Sequence, residues 1–306
     1  MISAKDISKA ADLLLSGALV AFPSETVYGL GALATDDRAV ARIYEAKGRP
    51  TFNPLISHVP DVEAAFALGE FSADALKLAA RFWPGPLTLV VPRWSTCTVS
   101  LLASAGLPSL AIRVPQHAIA LELLRAVGKP VVAPSANPSG RISPTTAQHV
   151  RDGLVDKVSM VLDGGACAVG VESTVVSFFE GKATLLRPGG LAREAIEEAL
   201  GYILAEGLGK VMHSPGQMES HYAPHAAMRL NAEVAINGEA YLGFGKFGRE
   251  YNLSSSGDVV EAAANLFRML HQLDAMNPER IAVAPIPMIG LGEAINDRLK
   301  RAAAPR

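Results

Sequence analysis

The chain has 306 residues, 49% of them hydrophobic and 19% charged, the proportions of an ordinary globular protein long enough for two domains and a sizeable core in the first. Its formal net charge of −2 is evenly spread: residues 1–206 carry 18 basic against 20 acidic side chains and residues 207–306 carry 10 against 10, which argues against tight, mainly electrostatic nucleic-acid binding. The two cysteines, Cys97 and Cys167, lack paired spacing, so neither a disulfide framework nor a cysteine zinc site is expected, in keeping with a reducing cytoplasm; the amphipathic start does not read as a signal peptide, and no apolar run is long enough to span a membrane.

Residues 3–16 read as a helix with Leu13, Leu14 and Leu15 inward and Gly17 as its stop. Residues 19–22 form a short apolar run that looks like a buried strand. Pro23-Ser24-Glu25-Thr26 breaks it and leaves two hydroxyls at its carboxyl end, where open α/β sheets bind ligands. Gly29 and Gly31 either let backbone approach a ligand or make a tight turn. Asp36-Asp37 open a helix with Ala39, Val40, Ile43 and Ala46 on one face, closing on Lys47-Gly48-Arg49-Pro50. Asn53-Pro54 leads into a strand at 55–59, with His58 near its end. Helices follow at 61–68 and 72–83, then strands at 87–91 and 109–114, the latter carrying Arg113 outward from an apolar run.

Residues 115–127 read as a helix with Pro115 at its start. Residues 130–133 are a strand running into Pro134-Ser135-Ala136-Asn137-Pro138-Ser139-Gly140-Arg141. Residues 145–150 are helical, and 160–162 lead into Asp163-Gly164-Gly165. A strand pair at 173–178 and 183–186 surrounds Glu180-Gly181, and 192–204 is the last helix of this unit. Strands alternate with helices but also neighbour one another, so the sheet should be mixed. Residues 207–224 read as a linker. Beyond it, 241–244, 259–273, 280–284 and 293–301 alternate as strand, helix, strand, helix, a small second α/β unit.

The residues able to carry chemistry fall into two sets. Lys47, Arg49, Arg113, Arg141 and Arg187 each flank a break rich in Gly, Pro or Ser, where side chains can converge on one crevice. The planar fork of Arg suits phosphate and carboxylate; the competing reading is solvated surface charge. Ser24, Thr26, Asn53, Ser109, Ser135, Asn137, Ser143 and Ser173 supply hydroxyls and amides. Each alone reads first as a turn or cap residue, although Thr26, Ser135 and Ser173 sit where strands meet loops. His58 is either a ligand contact or a satisfied structural residue. Several motifs fail. There is no P-loop and no Gly-x-Ser-x-Gly elbow. Gly29-Leu30-Gly31-Ala32-Leu33-Ala34 has dinucleotide spacing, but the strand ends well before it. Pro224 between His221 and His225 argues against a helical metal pair.

The motifs PSETVYGLG, KGRP, NPL-x-x-H, SANPSG and SPGQ-x-x-x-HYAP, in this order, resemble those of the YrdC-like threonylcarbamoyl-AMP synthases in their two-domain form. The resemblance implies a YrdC-like catalytic domain at 1–206, with a twisted mixed sheet and flanking helices. It further implies a linker or lid at 207–227 and a small Rossmann-like α/β domain at 228–306. The linker departs from the family's usual SPGMK by reading SPGQM. The activity implied is synthesis of L-threonylcarbamoyl-adenylate from L-threonine, bicarbonate and ATP, with release of pyrophosphate. The product would pass to a tRNA threonylcarbamoyl-transfer complex in the cytoplasm, with at most weak contact between this chain and tRNA itself.

By the same resemblance, Thr26, His58, Arg113, Ala133 and Ser173 would hold threonine. Lys47, Arg49, Asn53, Ser109, Ser135, Asn137, Ser143 and Arg187 would hold the nucleotide, with Tyr222 folding back over it. Magnesium would arrive on the phosphates of ATP, with no direct protein ligands. In-line attack on the α-phosphorus needs positioning and charge neutralisation more than a protein nucleophile, so the two sets have the right character. A nucleotide- or RNA-binding module without turnover is the alternative, and the near-neutral charge weighs against it. A carbamoyl-transfer enzyme of the hydrogenase-maturation kind would need further acylphosphatase and zinc-finger segments.

Overall fold

The structure, a computed structural model, describes residues 2–179, 181–207 and 220–305. Helix α1 (Ala4–Leu15) is fixed at its start by a capping box: Ser3 Oγ accepts from the Asp6 amide while the Asp6 carboxylate accepts from the Ser3 amide. Its buried face is Ile7, Ala10, Ala11 and Leu14. Leu13 is half-buried and packs at the edge of the core, whereas Leu15 is exposed, because successive helical residues point about 100° apart. Strand β1 (Val20–Phe22) pairs antiparallel with β2 (Gly29–Leu33), opposing Val20 to Gly31 and Phe22 to Gly29. The Gly29–Gly31 stretch is therefore a strand, where a turn or a ligand approach was expected. A Cβ on Gly31 would lie 2.9 Å from the Phe22 ring and 3.0 Å from the Val20 carbonyl, so the neighbouring strand dictates the glycine.

Helix α2 (Asp37–Lys47) begins where Asp36 accepts from the amides of Arg38 and Ala39, and stops at Gly48 with φ +60°. The first unit continues through β3 (Ile56–His58), α3 (Val62–Phe66), α4 (Ala73–Phe82), β4 (Leu87–Pro92), β5 (Ser109–Arg113), α5 (Ala118–Val127), β6 (Val131–Val132), α6 (Ala147–Leu154), β7 (Met160–Val161), β8 (Thr174–Ser177), β9 (Thr184–Arg187), α7 (Arg193–Leu200) and β10 (Ala205–Glu206). Three helix boundaries differ from expectation by three residues or more, one of them that of α6, which runs past the expected 150 to Leu154. Helix α5 starts after His117, whose backbone is still extended at φ −145°, so Pro115 lies outside it. Helix α7 ends at Gly201 with φ +85°, which takes Ile203 out of the helix and leaves it exposed. The two-residue β10 carries no readable alternation and was not expected.

The first sheet has the order β10-β9-β8-β4-β5-β3-β6-β2-β1-β7 and mixes parallel and antiparallel pairs. Beyond residue 220 come β11 (Ala227–Arg229), β12 (Glu239–Leu242), α8 (Val259–Ala275), β13 (Arg280–Val283) and α9 (Gly292–Ala302). They form a parallel sheet of order β11-β13-β12. Strand β11 was not expected: it begins on Ala227, the last residue of the stretch expected to be linker or lid. Each sheet has its own apolar core, but the second core also takes in Val27, Ile142 and Val171 from the first unit. Polar contacts bridge the two: Arg193 pairs with Glu293, and the rings of His149 and His271 stack with centroids 3.9 Å apart. Among the described residues no helix is long and apolar enough to cross a membrane.

Candidate active site

Strands β3 and β5 run parallel, and His58 and Arg113 are register partners at their ends. This pair forms one wall of a cavity against the middle of the large sheet. All five residues assigned to threonine line it: Thr26, His58, Arg113, Ala133 and Ser173. Of the nucleotide set, Arg49, Ser135, Arg187 and Tyr222 also line it. The free space is about 50 Å³, room for a few waters, and the buried His221 and Tyr222 are part of its lining.

Local structure explains each placement. After β1, Ser24 Oγ accepts from the amides of Thr26 and Val27 and lies 2.8 Å from Thr26 Oγ1, a hydroxyl-stabilised turn that turns Thr26 inward. Arg49 follows the α2 stop, and its Nε and Nη2 donate to the carbonyls of Asn53 and Pro54. Arg187 ends β9 and donates through Nε and Nη2 to the Ser173 carbonyl. Ser173 Oγ is in turn 2.7 Å from Thr88 Oγ1. Arg113, expected to point outward, is buried: Nε donates to the Gly85 carbonyl, and Nη2 pairs with Glu25 at 2.7 Å. An arginine at the end of a central strand cannot reach bulk water and finds a carboxylate instead.

The rest of the nucleotide set stands behind the wall or away from it. Lys47 is buried and donates to the carbonyls of Ser135 (2.6 Å) and Asn137 (2.5 Å), bracing the 134–141 loop from below. Asn137 Nδ2 donates to the carbonyls of Pro138 and Arg141 in the same loop. Ser143 donates to Glu172 at 2.5 Å. Ser109 is buried at the start of β5, opposite Pro92. Asn53 is fully buried, and neither atom of its side-chain amide has a partner. Arg141 contacts His225, away from the cavity. Ser214–Gln217, the linker motif, lie outside the described residues.

The electrostatics follow from burial. Lys47 is held well below its ordinary range, by burial first and by Arg49 second. Arg49 is brought down to about 10 for want of solvent. His58 is pushed down to about 3 by burial and by Arg113; it is neutral, and Nδ1 donates to the Ile56 carbonyl, leaving Nε2 as an acceptor. Burial alone would raise Glu172, but Arg298, Arg187 and the Ser143 hydroxyl bring it down to about 2. The cavity thus presents three guanidinium groups, two neutral imidazoles and one strongly ionised carboxylate. Such a set binds an anion-rich ligand by charge and hydrogen bonds.

A family model described as "Telomere recombination" matches residues 12–189, and one described as "Threonylcarbamoyl-AMP synthase, C-terminal domain" matches residues 191–304. The chain is 40% identical to the threonylcarbamoyl-AMP synthase of Pyrococcus abyssi, over 97% of this chain and 94% of that one. It is also 40% identical to the Bacillus subtilis enzyme of the same name, over 98% and 93%. The chain belongs to the threonylcarbamoyl-AMP synthase family. The crystal structure of P. abyssi Sua5 complexed with L-threonine superposes with a TM-score of 0.92 at 39% identity, covering 99% of this chain and 95% of that one. In this member of the family, sequence reasoning passed over Glu25, Glu172, His221 and Arg298. One signal was available: Arg298 falls on the buried stripe of α9 with Ala294, Ile295, Leu299 and Ala302, where an arginine must find a partner.

Proposed function

We propose that the chain makes L-threonylcarbamoyl-adenylate from L-threonine, bicarbonate and ATP, with the cavity seating the amino acid beside the nucleotide. The reading rests on one observation above the rest: Arg49, Arg113 and Arg187, far apart in sequence, line a single buried cavity. Family membership over the whole chain supports the reaction.

In the proposed roles, Arg113 clamps the threonine carboxylate and His58 Nε2 accepts from its hydroxyl, the group that separates threonine from valine. The threonine amine adds to carbon dioxide derived from bicarbonate, forming the N–C bond and releasing a proton. A carbamate oxygen then attacks the α-phosphorus in line, and the bond to the bridging oxygen breaks as pyrophosphate leaves with its electron pair. Arg49 and Arg187 neutralise charge developing on the phosphates. Lys47 and Asn137 act indirectly, by fixing the loop that presents Ser135. Asn53 supplies an amide with unused hydrogen-bonding capacity. Ser109 and Ser143 have no direct contact to assign and serve the wall from behind.

ATP enters as its magnesium complex. Glu25 and Glu172, the carboxylates beside the cavity, are both paired with arginines, and the described residues contain no cluster of metal-ligating side chains. Magnesium would come bound to the ATP phosphates and share the charge neutralisation there. Tyr222 has φ +65° and is held by stacking on Phe267, a strained backbone fixed by its packing. We assign it and His221 to a lid that withdraws for ATP, since about 50 Å³ is far too little for a nucleotide. The product would be consumed by a tRNA-modifying reaction in the cytoplasm.

The test is pyrophosphate release from ATP by the purified chain, with threonine and bicarbonate each omitted in turn. Release that requires both is expected. Release at the same rate without threonine would overturn the reading.

A further inference from the structure

The wall of the cavity holds a carboxylate that an ATP site should not tolerate. Glu172 is buried and lines the cavity with Arg187 and Arg49, and a bare anion there would repel a triphosphate over a short, poorly screened distance. Arg187 and the Ser143 hydroxyl compensate it in part, and the guanidinium bonded to it comes from the second unit. Arg298, on α9, is 1% exposed and donates through Nε to Glu172 Oε2 at 2.7 Å. Its Nη2 donates to the carbonyl of Pro188 at 3.0 Å, next to Arg187, and its guanidinium carbon lies 5.2 Å from the centre of the Tyr222 ring. Asp297 completes its shell. One side chain of the second unit thus meets the wall, the backbone beside Arg187 and the proposed lid.

We propose that Arg298 is a positioning residue for the nucleotide: by neutralising Glu172 it makes the cavity able to accept a polyanion, so that docking of the second unit completes the ATP site. The inference deepens the reading above and rests on it. Arg298 does not touch the reacting atoms. It acts by removing a repulsion and by fixing where Glu172 and Tyr222 stand.

The experiment compares wild type, R298M and E172Q/R298M in the full chain. ATP affinity is read by calorimetric titration, threonine KM by pyrophosphate release, and folding by thermal melting. R298M removes the bonded guanidinium and leaves buried Glu172 only the Ser143 hydroxyl and the nearby Arg187, and its Kd for ATP is expected to rise by about tenfold or more, with threonine KM changed less than about threefold. Removing the stranded charge in E172Q/R298M returns the Kd to within about threefold of wild type, a rescue that a purely structural role would not give. A folded R298M with wild-type ATP affinity overturns the inference, as does a double variant no better than the single one. If R298M does not fold, the double variant decides, because it buries no unpaired charge: near-normal ATP affinity supports the inference, and a tenfold loss overturns it. A wild type that binds ATP but releases no pyrophosphate refutes the proposed reaction and leaves Arg298 to be judged by the three Kd values. A wild type that binds no ATP overturns both.

Discussion

The clamp assigned to Arg113 can be tested with Arg113→Lys. The pair with Glu25 is short (2.7 Å) and buried, at 5% and 7% side-chain exposure. Alanine would strand Glu25 and remove about 3–5 kcal/mol of stability, mixing unfolding with lost binding. Lysine keeps a cation opposite Glu25 but has a single ammonium where arginine has a fork. Arg113 spends Nε on the Gly85 carbonyl and Nη2 on Glu25, so the remaining donors are the ones offered to substrate. Losing one charge-assisted hydrogen bond is worth about 1.5–3 kcal/mol, or roughly 10- to 150-fold in affinity. The assay is pyrophosphate release against threonine at saturating ATP, then against ATP at saturating threonine, beside a melting curve. Threonine KM should rise through that range while ATP KM moves less than about twofold. A folded Arg113→Lys enzyme with wild-type threonine KM would refute the assignment.

Stability should also fall as the medium is acidified. His58 and His221 are both held at about 3 by burial, whereas the unfolded residues titrate near 6.5. Between those values the unfolded chain binds more protons, so stability present above pH 6.5 is lost as pH falls below it, by about 2 kcal/mol per histidine at pH 5. Denaturant midpoints at pH 7.5 and pH 5 measure this, and equal midpoints would contradict the burial of both rings. Glu172, held at about 2, adds to the loss only below its own ordinary range. Asn53→Ala removes two buried, unpartnered atoms, so the melting temperature should hold or rise while ATP affinity falls. A destabilisation above about 2 kcal/mol would show that those atoms are paired in solution. Gly31→Ala drives a methyl into Phe22 and should cost about 1–3 kcal/mol, read by the same denaturant curves; a neutral effect would mean that β1 and β2 separate readily.

Much of the first unit was legible because its signals are local. Ser3, Asp36 and Ser72 cap the helices they precede, and Gly48 stops α2. The elements that escaped lack such signals. Strand β2 is Gly-Leu-Gly-Ala-Leu, with no β-branched residue, and its identity comes from pairing with β1 and β6. In the site, residues beside Gly- and Pro-rich breaks were readable as a group. Depth was not: no local pattern separates Arg187, which faces the cavity, from Lys47, which supports the loop behind it. The anions were missed for a related reason. Glu25 and Glu172 matter only through arginines 88 and 126 residues away, and contacts at that separation are invisible until the chain is folded.

The register between β3 and β5 carries one last consequence. His58 and Arg113 sit opposite each other on adjacent parallel strands, so their separation is a lattice constant of the sheet, near 4.8 Å, rather than a product of side-chain choice. Sliding one strand by a residue would swing its own group to the far face and leave the other without its neighbour. A descendant that came to prefer another amino acid would have to recarve the flanking loops while leaving this gauge untouched.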